Sequence, residues 1–158
     1  MGLSMRAVAA TAVCLFVPII ADAQNCVFEE KDGVVVMEVE SVKPSHTNWQ
    51  LQTVPVGYTG KGYYRWTGSD YMGGPSANVP PLVYTFKINN PGSYIFSWHC
   101  RHENADCSLE NDHWTKVDNG QWYKTGNHIS CKKWDWELWT EHNGLHWDPE
   151  YQFTAGTH

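Results

Sequence analysis

The aromatic side chains in predicted loops are the residues of this chain best suited to binding chemistry. Nine Trp, eight Tyr and five Phe occur in 158 residues, more rings than the core of one small domain needs. Trp and Tyr have flat apolar faces that stack on sugar rings, while polar neighbours bind the hydroxyl groups. Trp98, Trp114 and Trp136 lie in alternating strand patterns and are expected in the core. The rings expected in or beside loops are Tyr58, Tyr63, Tyr64, Tyr71, Trp122 and Trp147.

Two acidic residues are spaced to bind a cation. Glu38 and Glu40 lie two residues apart in a predicted strand over residues 34–40, so both side chains are expected on one face. Calcium prefers six to eight oxygen ligands, and backbone carbonyls and another carboxylate would have to join them. The alternative is a pair of solvated carboxylates on an edge strand. Asp135 and Glu137 repeat the same spacing.

Catalytic motifs are sparse in this chain. Glycosidase carboxylates face each other across a cleft, roughly 5–10 Å apart, and normally come from different elements. The sequence contains no His-Glu-x-x-His, no Gly-x-Ser-x-Gly and no nucleotide-binding fingerprint. The enzymatic hypothesis that remains is a small secreted glycoside hydrolase or lyase that uses Asp112, Asp135 or Glu137 as acid and base.

The first residues have the pattern of an export signal. A short cationic start is followed by an apolar run over residues 7–20 and by Ala21-Asp22-Ala23, a small-x-small cleavage pattern. We therefore predict a signal peptide over residues 1–23 and a secreted, extracellular or periplasmic mature chain. The alternative is a membrane anchor, but the apolar run is shorter than the roughly 20 residues of a spanning helix.

Cleavage would remove Cys14 and leave an even number of cysteines in an exported chain, which favours two disulfides. The four that remain are Cys26, Cys100, Cys107 and Cys131. Three pairings can form, and we favour Cys100–Cys107, which closes a short loop, with Cys26–Cys131. A zinc site made of Cys100, Cys107, His102 and His113 is the less favoured alternative.

The predicted elements are short strands separated by turns. Period-two alternation dominates and no segment sustains a helical period. The predicted strands are Val34–Glu40, Gly62–Trp66, Leu82–Ile88, Ser93–Trp98, His113–Val117, Trp134–Trp139 and Glu150–Phe153. The turn Asn89–Gly92 predicts a hairpin between the strands over residues 82–88 and 93–98. This pattern indicates an all-β fold, an antiparallel β-sandwich or barrel.

Seven short motifs follow one another along the chain. They are Met37–Glu40, Gly62–Gly68, Leu82–Phe86, Pro91–Tyr94, Asn111–Trp114, Trp122–Lys124 and Phe153–His158. Their order resembles that of the galactose-binding-domain-like carbohydrate-binding modules of families 6 and 35. That resemblance covers nearly all of residues 24–158 and implies a β-sandwich of jelly-roll topology, secretion, no catalysis and association with polysaccharide-degrading enzymes.

The resemblance also implies where ligands bind. Glu38 and Glu40 match the paired glutamates of a structural calcium site. Sugar binding in such modules uses aromatic side chains in loops at one end of the sandwich, or a cleft on a sheet face. The residues expected to bind the sugar are Tyr63, Tyr64, Trp66 and Trp122 by stacking, and Asn111, Asp112 and Asn127 by hydrogen bonds.

We therefore predict a secreted, non-catalytic, lectin-like module that binds a polysaccharide. Members of these families usually continue beyond an Ala-Gly-Thr-His turn with further strands, so the module over residues 24–158 is expected to be C-terminally incomplete. A net charge of −6 and a pI near 5.7 argue against a nucleic-acid partner, and no membrane partner is expected. An extracellular adhesion domain with an exposed apolar patch is the third hypothesis.

Overall fold

The computed structural model describes residues 27–126 and 131–158. The predicted signal peptide, Cys26 and Asn127 lie outside these residues. In the part described, the chain is all-β, with several antiparallel sheets and one short 3-10 helix at Val39–Ser41. None of the helical segments in these two ranges has the length and apolar character that crossing a membrane requires.

Thirteen short strands make up the described fold. In chain order they are β1 Val27–Glu29, β2 Trp49–Gln52, β3 Tyr63–Trp66, β4 Thr85–Ile88, β5 Gly92–Ile95, β6 Trp98–Cys100, β7 His113–Thr115, β8 Tyr123–Thr125, β9 Asp135–Glu137, β10 Thr140–His142, β11 Leu145–Trp147, β12 Glu150–Phe153 and β13 Gly156–Thr157. They form a three-stranded sheet β1-β4-β13, a four-stranded sheet β11-β10-β8-β7, and the pairs β12-β5, β2-β3 and β6-β9.

The hydrophobic core lies on one face of the three-stranded sheet. Alternation in β4 turns Phe86 and Ile88 inward and Lys87 outward. Phe153 of β12 meets Phe86 edge to face, with ring centroids 5.3 Å apart. The half-buried side chains that surround these three are Phe28, Val35, Met37, Tyr94, Val117 and Tyr151.

The predicted hairpin between residues 82–88 and 93–98 is wrong. Strand β4 pairs with β1 and β13, whereas β5 pairs with β12. The buried carboxylate of Glu30 accepts hydrogen bonds from the backbone N–H groups of Asn89, at 3.1 Å, and Asn90, at 2.9 Å. The Glu30 side chain, which lies outside the turn, therefore closes it. The two strands on either side of the turn pair with later segments instead of with each other, β5 with β12 and β4 with β13.

The predicted strand over residues 34–40 is also wrong. Val34 forms only an isolated bridge with Lys31, and the chain enters the 3-10 helix at Val39. Val35 and Met37 are half-buried and pack against the core. Among the described residues no strand pairs with residues 35–40, so the alternation of this segment does not produce a strand.

Other strand predictions are confirmed, most of them with shorter bounds. Residues 62–66, 113–117 and 150–153 contain β3, β7 and β12, and residues 134–139 contain β9. The β10-β11 hairpin was missed, although Asn143-Gly144 is its signal. Both residues have positive φ, 51° and 75°, as the favoured two-residue hairpin turn requires.

Both predicted disulfide pairings are wrong. Cys107 is bonded to Cys131, with Cα atoms 4.9 Å apart, and Cys100 is a free thiol. Pairing of β6 with β9 sets Cys100 opposite Asp135, and its thiol hydrogen-bonds the carboxyl group of Glu137. Burial is the main cause that raises the pKa of the thiol to about 12. The disulfide also removes Cys107 from the alternative zinc set, and the described residues contain no group of three or more metal-binding side chains.

Candidate functional site

The four-stranded sheet carries a row of functional side chains across its strands. Trp114 of β7 pairs with Lys124 of β8, Lys124 with Glu141 of β10, and Glu141 with His146 of β11. Directly paired residues project to the same face of a sheet. Neighbouring strands lie about 4.8 Å apart, so this row, which we call the cross-strand row, is roughly 14 Å long.

The opposite face of this sheet points toward the interior and carries buried threonines. Thr125 and Thr140 are paired and each is 1% exposed. The hydroxyls of Thr115 and Thr125 are 2.8 Å apart and hydrogen-bond to each other. Because successive side chains alternate between faces, burial of these threonines directs Lys124 and Glu141 away from the interior.

A cleft of about 390 Å³ lies over the cross-strand row. One wall is the loop Met72–Pro75, which is fixed because the indole N–H of Trp114 donates a hydrogen bond to the carbonyl oxygen of Tyr71 at 2.7 Å. The side chains that the sheet and its β10-β11 turn contribute to the lining are Trp114, Trp122, Lys124, Glu141, His142 and Asn143. Two indoles and an ion pair thus meet in one concave site.

Opposite charges hold the polar groups of the cleft in place. The Lys124 ammonium lies 2.7 Å from a carboxylate oxygen of Glu141 and 3.4 Å from one of Asp112. Its hydrogen bond with Glu141 is the main cause that raises the pKa of Lys124 and lowers the pKa of Glu141. Both groups therefore stay ionised at neutral pH. The Lys124 ammonium is a hydrogen-bond donor and the neighbouring Glu141 carboxylate is an acceptor.

Three residues predicted to bind sugar lie in or beside this cleft. Trp122 lines it, and the ammonium of Lys116 lies 5.4 Å from the centre of the Trp122 ring. Asp112 binds Lys124. Asn111 precedes Asp112, and its carbonyl oxygen approaches Gly126, which has a φ of 104°. Asn127 lies outside the described residues.

Tyr63, Tyr64 and Trp66 are not in the cleft. The hydroxyl of Tyr63 donates to the carbonyl of Val54 at 2.6 Å. Tyr64 is half-buried, and burial is the main cause that raises its pKa. The indole N–H of Trp66 donates to the carbonyl of Ser69 at 3.0 Å, and its ring lies 6.2 Å from that of Tyr71. Trp66 thereby supports the loop that walls the cleft.

The three tryptophans expected in the core have different environments. Trp98 and His113 are both half-buried, and their rings meet edge to face with centroids 4.4 Å apart. Trp114 instead lines the cleft, and Trp136 is 58% exposed, so the expectation is wrong for both. Sequence reasoning missed Trp114, Lys124 and Glu141 as site residues because only the strand register aligns them.

Glu38 and Glu40 converge although the strand predicted to carry them is absent. Their carboxylates accept hydrogen bonds from the Thr59 hydroxyl, at 2.9 Å, and from the Lys61 N–H, at 2.6 Å. Between these donors lies Gly60, with a φ of 65°, where any Cβ would overlap both carboxylates. The second oxygen of Glu40 is buried and has no hydrogen-bond partner among the described residues. The pair forms a two-carboxylate cradle.

The other carboxylates considered for catalysis lie elsewhere. Glu137 of β9 is buried, and burial, followed by the charge of Asp135, raises its pKa to about 7. Its carboxyl group hydrogen-bonds the Cys100 thiol. Neither Glu137 nor Asp135 is among the residues that line the cleft.

No protein-family model, curated protein or solved structure matches this chain. The resemblance to carbohydrate-binding modules therefore stays a prediction from motifs. The geometry of the cleft and the cross-strand row is what bears on function.

Proposed function

We propose that this protein is a secreted, non-catalytic carbohydrate-binding module whose polysaccharide ligand binds in the cleft. The observation that carries the proposal is the meeting of Trp114 and Trp122 with the Lys124–Glu141 ion pair on one outward face of a sheet. Binding sites for small polar ligands combine apolar walls with a few fixed polar groups.

The two kinds of group bind different parts of a sugar. An indole ring offers its face to the C–H bonds of a pyranose ring. Lys124 donates and Glu141 accepts, so two neighbouring hydroxyl groups have complementary partners 2.7 Å apart. Because the ion pair is formed before the ligand arrives, less side-chain entropy is lost on binding.

Secretion and a jelly-roll sandwich belong to the same proposal. The all-β fold with several antiparallel sheets is compatible with a sandwich. The Cys107–Cys131 disulfide supports an oxidising compartment, as does the export pattern of residues 1–23. Polysaccharide-degrading enzymes are the proposed associates, since a module of this kind brings them to their substrate.

Calcium is the proposed structural ion. The cradle of Glu38 and Glu40, with one carboxylate oxygen buried and without a partner, fits the beginning of a calcium site, and further oxygens would complete it. Calcium there would link the 3-10 helix to residues 59–61. Its removal by a chelator is expected to lower the melting temperature, and Glu40→Gln is expected to remove that response.

The cleft carboxylate favours binding over hydrolysis. A glycosidase acid must be protonated at working pH, but Lys124 lowers the pKa of Glu141. Among residues 27–126 and 131–158, Glu137 is the carboxyl group with a raised pKa, and it does not line the cleft. Convergent polar groups in the cleft also favour a sugar over the apolar patch of an adhesion domain.

The test is retention of the folded protein on insoluble polysaccharides, namely xylan, cellulose, mannan and galactan, with reducing sugar measured in the same samples. Trp122→Ala is expected to abolish retention. Trp136→Ala removes an exposed indole outside the cleft and is the matched control, which should bind normally. Retention by Trp122→Ala equal to that of the unaltered protein, or release of reducing sugar, would contradict the proposal.

A further inference from the structure

The cross-strand row extends beyond the cleft to a second aromatic surface. Trp139 immediately precedes β10 and is 45% exposed. Its ring stacks on that of His146, with centroids 5.3 Å apart and planes inclined by 25°. His146, also about half exposed, places Nε2 3.5 Å from a carboxylate oxygen of Glu141. The Trp139–His146 pair thus adjoins the polar centre of the cleft.

The polar pair at the middle of the row has aromatic rings on both sides. Glu141 contacts Lys124 on β8 and His146 on β11. The order across the sheet is therefore the indoles of Trp114 and Trp122, the ion pair, and then the Trp139–His146 stack. The ion pair therefore has an aromatic surface on each side. Each of these two surfaces places an apolar ring face next to hydrogen-bonding groups.

The row is open at its far end. Strand β11 is the edge of the four-stranded sheet, so within residues 27–126 and 131–158 no further strand of this sheet lies beyond His146. A ligand that leaves the cleft over Glu141 can continue across β11 toward solvent. The row is roughly 14 Å long from Trp114 to His146, which is longer than one pyranose ring.

We propose that the Trp139–His146 surface is a second sugar subsite, continuous with the cleft. The ligand would then be an internal stretch of at least two linked sugars that runs across the strands, rather than a single sugar or a chain end. This proposal rests on the proposed function and specifies the length of ligand that the site takes. The exposed indole of Trp139 is the ring on which the second sugar stacks.

The other exposed tryptophan of this hairpin serves as an internal comparison. Trp147 pairs with Thr140, whose side chain is on the inward face, and its ring contacts Tyr123 at 5.4 Å. Trp147 and His146 are neighbours in β11 and project to opposite faces. A change at Trp147 therefore alters the same hairpin without touching the cross-strand row.

The experiment is calorimetric titration of the full chain with oligosaccharides of one to four sugars, prepared from xylan, cellulose, mannan and galactan. For the unaltered protein, we expect affinity to rise by about tenfold from the monosaccharide to the trisaccharide of the polysaccharide that is retained, which corresponds to about 1.4 kcal/mol. Trp139→Ala is expected to remove most of that rise while leaving affinity for the monosaccharide unchanged.

Matched variants separate the two proposals. Trp122→Ala should weaken binding at every length, and Trp147→Phe should change none. His146→Ala gives a second measurement of the outer subsite if Trp139→Ala fails to fold, as judged by circular dichroism. Unchanged length dependence in Trp139→Ala or His146→Ala, with binding lost in Trp122→Ala, would overturn the second subsite alone. No binding by the folded, unaltered protein to any of these sugars would overturn the proposed function as well.

Discussion

The two largest sheets of the molecule use the same alternation of side chains for opposite purposes. In the sheet β1-β4-β13, large apolar side chains such as Phe86 and Ile88 face inward and form the core. In the sheet β11-β10-β8-β7, the fully buried side chains are the paired threonines Thr125 and Thr140, and the outward face carries Trp114, Lys124, Glu141 and His146. The outward face of the second sheet combines indole rings with the Lys124–Glu141 ion pair in one cleft.

This difference separates stability from binding. Removing apolar atoms from the first sheet should lower the stability and leave the affinity of the folded protein unchanged, whereas changing outward groups on the second should alter binding and leave most of the stability. Measurements on both properties for each variant test that separation.

The largest expected effect is in the core. Ile88 is 1% exposed, so Ile88→Ala should lower the free energy of unfolding by about 2–5 kcal/mol, because it loses buried area and leaves a cavity. Chemical denaturation measures this change. Folded Ile88→Ala should retain the polysaccharide affinity of the unaltered protein, and a loss of affinity in the folded fraction would contradict the separation.

Removal of the disulfide should affect the second sheet more than the first. The Cys107–Cys131 bond spans 24 residues and encloses β7 and β8. Cys107→Ser with Cys131→Ser should destabilise the chain by about 3 kcal/mol through the greater entropy of the unfolded state. Hydrogen exchange should rise most at residues 113–125. A uniform rise that includes β4 would show that the two sheets unfold as one unit.

A change in the ion pair should alter binding with little loss of stability. Glu141→Gln keeps the size of the side chain but removes the charge that faces Lys124. Charged hydrogen bonds contribute about 1.5–3 kcal/mol, so we expect a tenfold or greater loss of affinity in titrations. The melting temperature should change less than the affinity, because the Lys124 ammonium keeps its contact with Asp112 at 3.4 Å. A large fall in melting temperature with full affinity would reverse this assignment.

Acid should weaken the first sheet through Glu30. The backbone N–H of Gly33 is the main cause that lowers the pKa of this carboxyl group from 4.5. A lowered pKa contributes stability that is complete above pH 4.5 and is lost as pH falls through the lowered value. Denaturation curves recorded at decreasing pH should show that loss, and Glu30→Gln should show less of it. Equal acid sensitivity in both proteins would assign the effect to other carboxylates.

The smallest expected effect comes from His158, with the opposite sign. Its ring nitrogens lie 3.0 Å from Asp118 and from the carbonyl of Thr154, and the bond to Asp118 is the main cause that raises its pKa above 6.5. This contribution is complete below pH 6.5 and is lost as pH rises through the raised value. We expect less than about 1 kcal/mol. Asp118→Asn should flatten the dependence between neutral and alkaline pH, and an unchanged slope would exclude this pair as its source.

Local patterns identified much of the fold but not its strand pairing. Period-two alternation predicted strands over residues 82–88 and 150–153, and the structure forms β4 within the first range and β12 over the second. The turn at Asn89 was also expected, but its closure by Glu30 depends on a residue about sixty positions away. Pairing between distant segments leaves no local signal of this kind.

The candidate site shows the same limit. Trp122 was recognised because an indole beside a loop is a plausible sugar contact, and it lines the cleft. Lys124 was not singled out, because a lone lysine has no distinctive spacing. Its role appears only when β8 pairs with β10 and brings Glu141 to 2.7 Å. Likewise, the even number of cysteines predicted that Cys131 forms a disulfide, but it did not identify Cys107 as the partner.

The amino-acid sequence by itself determined the all-β character, the side chains that β4 buries and an abundance of aromatic rings, because these depend on residue type and short-range periodicity. Tertiary structure alone decided which rings became core and which became exposed. It also decided the Cys107–Cys131 pairing and the alignment of Trp114, Lys124, Glu141 and His146. The physical reason is strand register, since a one-residue shift would turn every one of these side chains to the other face.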